Sequence, residues 1–272
     1  MKKIIITVMV LLLVSTPILA AQESLETESF FSRFFTSIKD AFTAKEAPVE
    51  AFTQEVDAIK TTIEEEPVSE DPQKEIPQIL SLEKQYIQTN AKVDDYSLKM
   101  IKDPAANTEE VKLLEEDLQD LRHQLQLKQQ ALKTRLKARA TGAMPLRHLE
   151  NELTPLEEVY YLNRLVTTQR RLDLIQKETI SKELNDAELD AAIRRVRRVL
   201  GQTIQLYDKQ EFSLLSTLLD ELDTQLNEIS IGKVPNDQRI QLQLTLLTKR
   251  GEQASADVYA VLDTIKNLYE TS

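Results

Sequence analysis

Hydrophobic residues recur along most of this 272-residue chain in steps of three and four, the spacing that gathers side chains on one face of an α-helix. The pattern is cleanest near the C-terminus, where Ile240, Leu244, Leu247, Gly251, Ala254, Val258, Val261, Ile265 and Leu268 alternate steps of four and three. A strict 3.5-residue period sustained over about four heptads predicts a left-handed coiled-coil seam. Gly251 and Ala254 leave little side chain at its middle, so a partner helix should come close there or project a large residue into the gap.

Four further helices read out of the same spacing. Residues 78–102 form one, stopping before Pro104 because a proline disfavours helical geometry in the residue ahead of it. The next starts after Thr108, with Glu109 and Glu110 set favourably against the helix dipole. Its stripe of Val111, Leu114, Leu118, Leu121, Leu125, Leu132 and Leu136 runs out near Gly142. Thr154, Pro155 and Glu157 supply a cap, a first-turn proline and a capping-box acid. That third helix runs to about residue 182 on Leu156, Val159, Leu162 or Tyr160, Val166, Leu172 and Ile175. A fourth begins after Asn185 and continues to Ile231, with a break near residues 208–210, and Gly232 and Pro235 end it.

Only four glycines occur in the whole chain, too few for the tight turns of a sheet protein or for a phosphate-cradling loop. The expected fold is therefore all-α: an elongated antiparallel helical bundle or coiled coil of about five to six long helices, spanning residues 78–272. Helices of about 30 residues are about 45 Å long, and short connections fold them back on one another.

The first 77 residues break this pattern. Lys2 and Lys3, an apolar run over residues 4–14, Pro17 and the small residues Ala20 and Ala21 have the three-part form of a secretory signal peptide, assigned to residues 1–20. An uncleaved anchor is the alternative, and either places the remainder outside the cytoplasm. Residues 21–47 hold a phenylalanine cluster. On a helix, Phe30, Phe31, Phe34, Phe35, Ile38 and Phe42 fall within an arc of about 140°, making one apolar face on a locally basic segment with Arg33, Lys39 and Lys45. Such a face packs on a bundle, lies in a membrane interface or seats in a partner's groove. Residues 48–77, with four prolines and the acidic run Glu64–Glu65–Glu66, read as an extended linker carrying at most a short helix over 50–63.

Charge divides the chain again. Residues 21–127 carry 24 acidic and 11 basic side chains, residues 128–200 carry 10 and 15, and residues 201–272 carry 11 and 6. The basic island peaks at Arg194, Arg195, Arg197 and Arg198. Nucleic acid is a poor match for it, because the chain is exported, has a net charge of −11 and offers no base-stacking aromatics beside the arginines. Two readings remain. In one, Ile193, Val196 and Leu200 are buried and the arginines pair with acidic neighbours across the bundle; in the other, the arginines contact an anionic partner.

The search for catalytic chemistry returns little. The absence of cysteine excludes disulfides, thiol catalysis and cysteine-ligated metal. Asp120 and His123 sit three apart on one helix, but His148 has no matching acid, so no di-metal set is assembled and a solvated histidine is expected. Phosphate loops, zinc-protease helices and nucleophile elbows are absent. In outline, a signal peptide followed by long helical pairs, the chain is similar to the periplasmic helical regions of large mechanosensitive channels and of efflux adaptor hairpins, a likeness of architecture that carries no residues over.

These features point to a non-enzymatic exported scaffold or adaptor of the bacterial cell envelope, periplasmic or secreted, without cofactor or metal. The phenylalanine face would bind envelope proteins or the membrane surface, and the 240–268 seam would serve a homodimer. A helical module that takes up hydrophobic ligands between its helices, as a lipid carrier or chaperone does, is the alternative.

Overall fold

The computed structural model describes residues 49–65, 71–102, 108–140, 149, 151–181, 187–232 and 238–270. Seven helices occupy them: α1 (Val49–Glu65), α2 (Pro72–Lys102), α3 (Thr108–Ala140), α4 (Leu153–Ser181), α5 (Ala187–Asp208), α6 (Phe212–Gly232) and α7 (Gln238–Glu270). The described residues contain no strand. All of them belong to one unit, Ala41–Ser272. The signal-peptide reading of 1–20 and the Phe-rich helix of 21–47 lie outside the described residues.

The helices form a bundle because each lays its apolar stripe on a neighbour. Helix α4 is central, touching α2, α5, α6 and, most extensively, α7. Its Leu156, Val159, Leu162, Leu165, Val166, Leu172, Leu174 and Ile175 are all buried, which leaves no wholly solvated face. Burying side chains of this size contributes about 1.5–3 kcal/mol each. Helix α7 runs antiparallel to α4, since Asn163 meets Gly251 and Ser255 while Glu157 meets Lys266. On its other side α7 packs on α3, and α3 in turn is covered by α1 and α2. Helices α5 and α6 form a hairpin on α4.

Two details differ from the sequence expectation. Within residues 48–77, read as an extended linker with at most a short helix over 50–63, that helix is present as α1, slightly longer and packed into the core, and the first turns of α2 lie there too. Phe52, Val56, Ile59 and Ile63 follow the same steps of four and three and are buried. Lys60 bonds Asp117 at 2.7 Å and Lys92 bonds Glu55 at 2.9 Å, tying α1 to α3 and α2. Helix α2 starts at Pro72, where the missing N–H falls among groups that have no helical partner anyway, and Asp71 accepts the first helical bond from Glu75 at 3.2 Å. It then runs through Pro77, which removes one helical bond. Burial of Ile76, Ile79 and Leu80 outweighs that local preference.

The second difference is the break after α5, which proves to be a full reversal. Leu189, Ile193, Val196, Leu200 and Tyr207 on α5 face Leu215, Leu219, Leu222, Leu226 and Ile229 on α6, all buried. The turn between them is a Schellman cap: Glu211 N–H bonds Leu206 O at 3.0 Å and Gln210 N–H bonds Tyr207 O at 2.9 Å. Its left-handed position, φ 58°, is held by Gln210 where glycine is the usual occupant. The break expected near residues 208–210 lies at this turn, but without a glycine nothing in the residue types marked it as a full reversal.

Candidate functional site

Of the side chains singled out in the sequence, Phe30, Phe31, Phe34, Phe35, Ile38 and Phe42 lie outside the described residues, as does His148. His123 is exposed on α3. Among the described residues no group of three His, Asp or Glu is placed to hold a metal ion, and no helix is long and apolar enough to cross a membrane. The 240–268 seam is filled within the chain: Leu244, Leu247, Ala254, Val258, Val261 and Ile265 are buried, chiefly against α4. A homodimer through that seam would have to displace α4.

The close approach expected at Gly251 is present. A Cβ at Gly251 would lie 2.6 Å from Thr167 Cγ2 and 2.9 Å from Thr167 Cβ, inside the distance any carbon tolerates. Asn163, which interrupts the apolar stripe of α4, donates to Gly251 O at 2.8 Å and to Ser255 Oγ at 2.7 Å. Only a glycine lets α4 come near enough for an asparagine to bond the α7 backbone, so this crossing fixes the register of the two central helices.

On the opposite side of α7 lies a buried charge network. Arg122, 7% exposed, directs Nη1 to both oxygens of Glu83 at 2.9 and 2.7 Å and Nε and Nη2 to Asp257 Oδ2 at 3.1 and 2.8 Å. Gln129 donates to Glu83 Oε1 at 2.5 Å and accepts from Arg122 Nη2 at 3.3 Å. Gln126 caps the other Asp257 oxygen at 3.3 Å. The guanidinium also stands 5.3 Å from the Tyr86 ring centroid, a cation–π distance. Burial disfavours the Arg122 cation, yet Glu83 and Asp257 overcome this and hold it above the usual arginine range. Burial outweighs Arg122 at Glu83 and raises its carboxyl above the usual range; Tyr86, likewise buried, is pushed up to about 12. With both acids engaged and Glu83 sealed from solvent, the network clasps α2, α3 and α7 together and presents no reactive atom.

Two open clefts flank α7. One, of about 430 Å³, lies among α4, α6 and α7. Arg164 bonds Asp220 and Asp223 at 2.8 and 2.9 Å there, and Arg171 bonds Asp223 and Asn227 at 3.0 and 2.6 Å. Burial, only partly offset by Asp223 and Glu252, draws Arg171 below the usual arginine range. The other cleft, about 390 Å³, lies between α3 and α7 and is lined by Arg122, His123, Lys249, Arg250 and three glutamines, with Tyr86 among them. Both combine charged and amide side chains with apolar surface, which Leu118 and Leu246 supply in the second.

The arginines named in the sequence are placed differently from these buried ones. Ile193, Val196 and Leu200 are buried as expected, and Arg194, Arg195, Arg197 and Arg198 are all exposed on the outer face of α5. Arg197 bonds Gln176. Among the described residues Arg194, Arg195 and Arg198 make no hydrogen bond or ion pair, so none of the described acidic side chains pairs with them across the bundle.

Sequence reasoning passed over Arg122, Glu83 and Asp257 because each looks like an ordinary surface charge and their partners are far apart in the chain. A signal did exist: the leucine stripe of α3 skips from Leu125 to Leu132, and the position between them is Gln129, buried at 2% exposure. Asn163 marks α4 in the same way. No protein-family model, curated protein or solved structure matches this chain.

Proposed function

We propose that this protein is an exported, non-enzymatic helical scaffold or adaptor of the cell envelope. Its helical bundle serves as the body, and the face of Phe30, Phe31, Phe34, Phe35, Ile38 and Phe42 docks it to a membrane surface or an envelope protein. The observation that supports this reading is the self-sufficiency of the described helices. Their apolar stripes are covered by one another, and the large hydrophobic side chains left exposed, Leu113, Leu127, Leu214, Leu242 and Tyr259, are spread over α3, α6 and α7.

The test is a truncation whose boundary α1 sets. A chain starting at Gln78 would lose Phe52, Val56, Ile59 and Ile63 from the core, so the cut belongs immediately before Val49. The expected result is that the shortened chain keeps its helical circular dichroism and cooperative unfolding while leaving the membrane or partner-bound fraction. Loss of cooperative unfolding would make the phenylalanine face part of the core, and unchanged fractionation would remove its docking role.

A further inference from the structure

We infer that the outer face of α5 is a docking surface for the phosphate headgroups of an anionic lipid surface, with Arg194, Arg195, Arg197 and Arg198 as the contacting cations. The inference goes beyond the phenylalanine docking proposed above and rests on a different part of the chain.

The first ground is the contrast with the other arginines. Arg122, Arg135, Arg164, Arg171 and Arg250 each hold at least one carboxylate of the same chain. Arg194, Arg195 and Arg198 hold none, although the chain has 45 acidic residues. Asp190 stands one turn ahead of Arg194, the right spacing for a helical ion pair, and the pair does not form.

The second ground is that the arrangement is unfavourable to the isolated chain. Arg194 and Arg198 are four apart, and Arg194 with Arg197 and Arg195 with Arg198 are three apart. Like charges at these spacings repel across a helix surface. Four cations within five residues therefore weaken α5, and among the described residues no carboxylate pairs with them to offset the repulsion. Local rules broken without internal compensation are a mark of an outward function.

Shape and chemistry choose the occupant. At 100° per residue the four arginines spread over about 160° of the helix, opposite Ile193, Val196 and Leu200. The small residues Ala191 and Gly201 lie within the same arc, and Gly201 has open space where a Cβ would stand, so nothing overhangs the guanidinium groups. A convex, unwalled array suits a flat surface of many anions rather than one small anion in a pocket. Planar guanidinium forks match phosphate oxygens. The net charge of −11 repels the rest of the body from such a surface, which would orient the bundle with α5 inward.

Sedimentation of the full chain with phosphatidylglycerol and with phosphatidylcholine vesicles tests this. The expected result is a preference for the anionic vesicles that fades as salt shortens the screening length to about 8 Å near physiological strength. Arg→Gln should lower anionic partitioning about fivefold per residue, so on the order of several-hundred-fold for all four. A control chain with Lys74, Lys137, Lys209 and Lys249, all exposed, changed to glutamine loses the same charge elsewhere and should retain the preference. Equal losses in both variants would reduce the effect to net charge and overturn the inference, as would unchanged partitioning of the arginine variant. Binding of the arginine face to soluble polyglutamate in the absence of vesicle binding would overturn it in favour of an acidic protein. A failure of the phenylalanine docking reads out separately, in the chain cut before Val49, and leaves these arms intact.

Discussion

The α4–α7 crossing and the outer face of α5 use the same unusual residues to opposite ends. Each has a glycine in mid-helix, a position where glycine is destabilising by about 0.5–1 kcal/mol relative to alanine. At Gly251 the neighbour Thr167 occupies the space a Cβ would need, and Asn163 donates to the buried carbonyl. At Gly201 there is nothing within 4 Å. Arginines divide likewise: Arg122 has its donors matched by Glu83, Asp257 and Gln129, whereas Arg194, Arg195 and Arg198 face solvent without partners. Where described neighbours account for an unfavourable residue, the residue is structural; where none of them does, the proposed account is the docking surface on α5.

The largest expected effect is at the clasp. Arg122→Ala leaves Glu83 buried, and Asp257 half-buried, without a counter-charge, a situation that costs about 3–5 kcal/mol, and urea denaturation should read a loss of that size. The clasp also carries a pH signature. Because burial raises Glu83 above the usual carboxylate range, the folded state holds that proton more tightly than the unfolded one. The contribution to stability is then fully present at pH below the unfolded value and lost as pH rises through the folded one. Glu83→Gln mimics the protonated form, so the difference in urea midpoint between variant and parent should shift in the variant's favour from acidic to neutral pH. A difference that stays flat would show that Arg122 fully offsets burial.

Gly251→Ala comes next. Alanine is the better helix former, yet its methyl group meets Thr167 and forces the two central helices apart. Overpacking of this kind costs about 1–3 kcal/mol, so the midpoint should fall. In a Thr167→Ala background the same substitution should recover most of the loss, because the clash is with that side chain. Additive losses in the double variant would place the strain in the backbone approach instead.

How far these features were legible depends on whether their cause is local. The stripes of α3, α4 and α7 were readable because strict apolar steps need no knowledge of the partner. The short helix allowed over 50–63 is α1, but its place in the core and the start of α2 were not readable, since Pro67, Pro72, Pro77 and the acidic run read as a linker, and only tertiary burial of Phe52, Val56 and Ile76 reverses that balance. Gln210 in a left-handed turn gave no residue-type cue. The clasp joins residues 39 and 135 positions apart in sequence, which no local pattern encodes, although Gln129 and Asn163 inside leucine stripes marked the helices concerned. For α5 the sequence disclosed the buried face and the basic one; the absence of internal partners needed the structure.

Gly201→Ala reverses the sign of the Gly251 result. With no neighbour to clash, the added methyl group only removes backbone freedom from the unfolded chain and improves helix propensity, so stability should rise by about 0.5–1 kcal/mol. A fall would mean that some group covers α5 at this point.

The smallest effect bears most directly on the outer face. Arg198 stands four residues from Arg194 and three from Arg195, so Arg198→Gln relieves two repulsive pairs at once, each of a few tenths of a kcal/mol, about 0.2–0.5. Glutamine has nearly the helix propensity of arginine, and no bond within the chain is lost. The urea midpoint should therefore rise slightly at low ionic strength and converge on the parent value as salt screens the repulsion. Arg164→Gln, which breaks the pairs to Asp220 and Asp223, should move the midpoint the other way. If Arg198→Gln also lowers stability, its guanidinium is held by the chain itself, and the distinction between inward and outward arginines fails there.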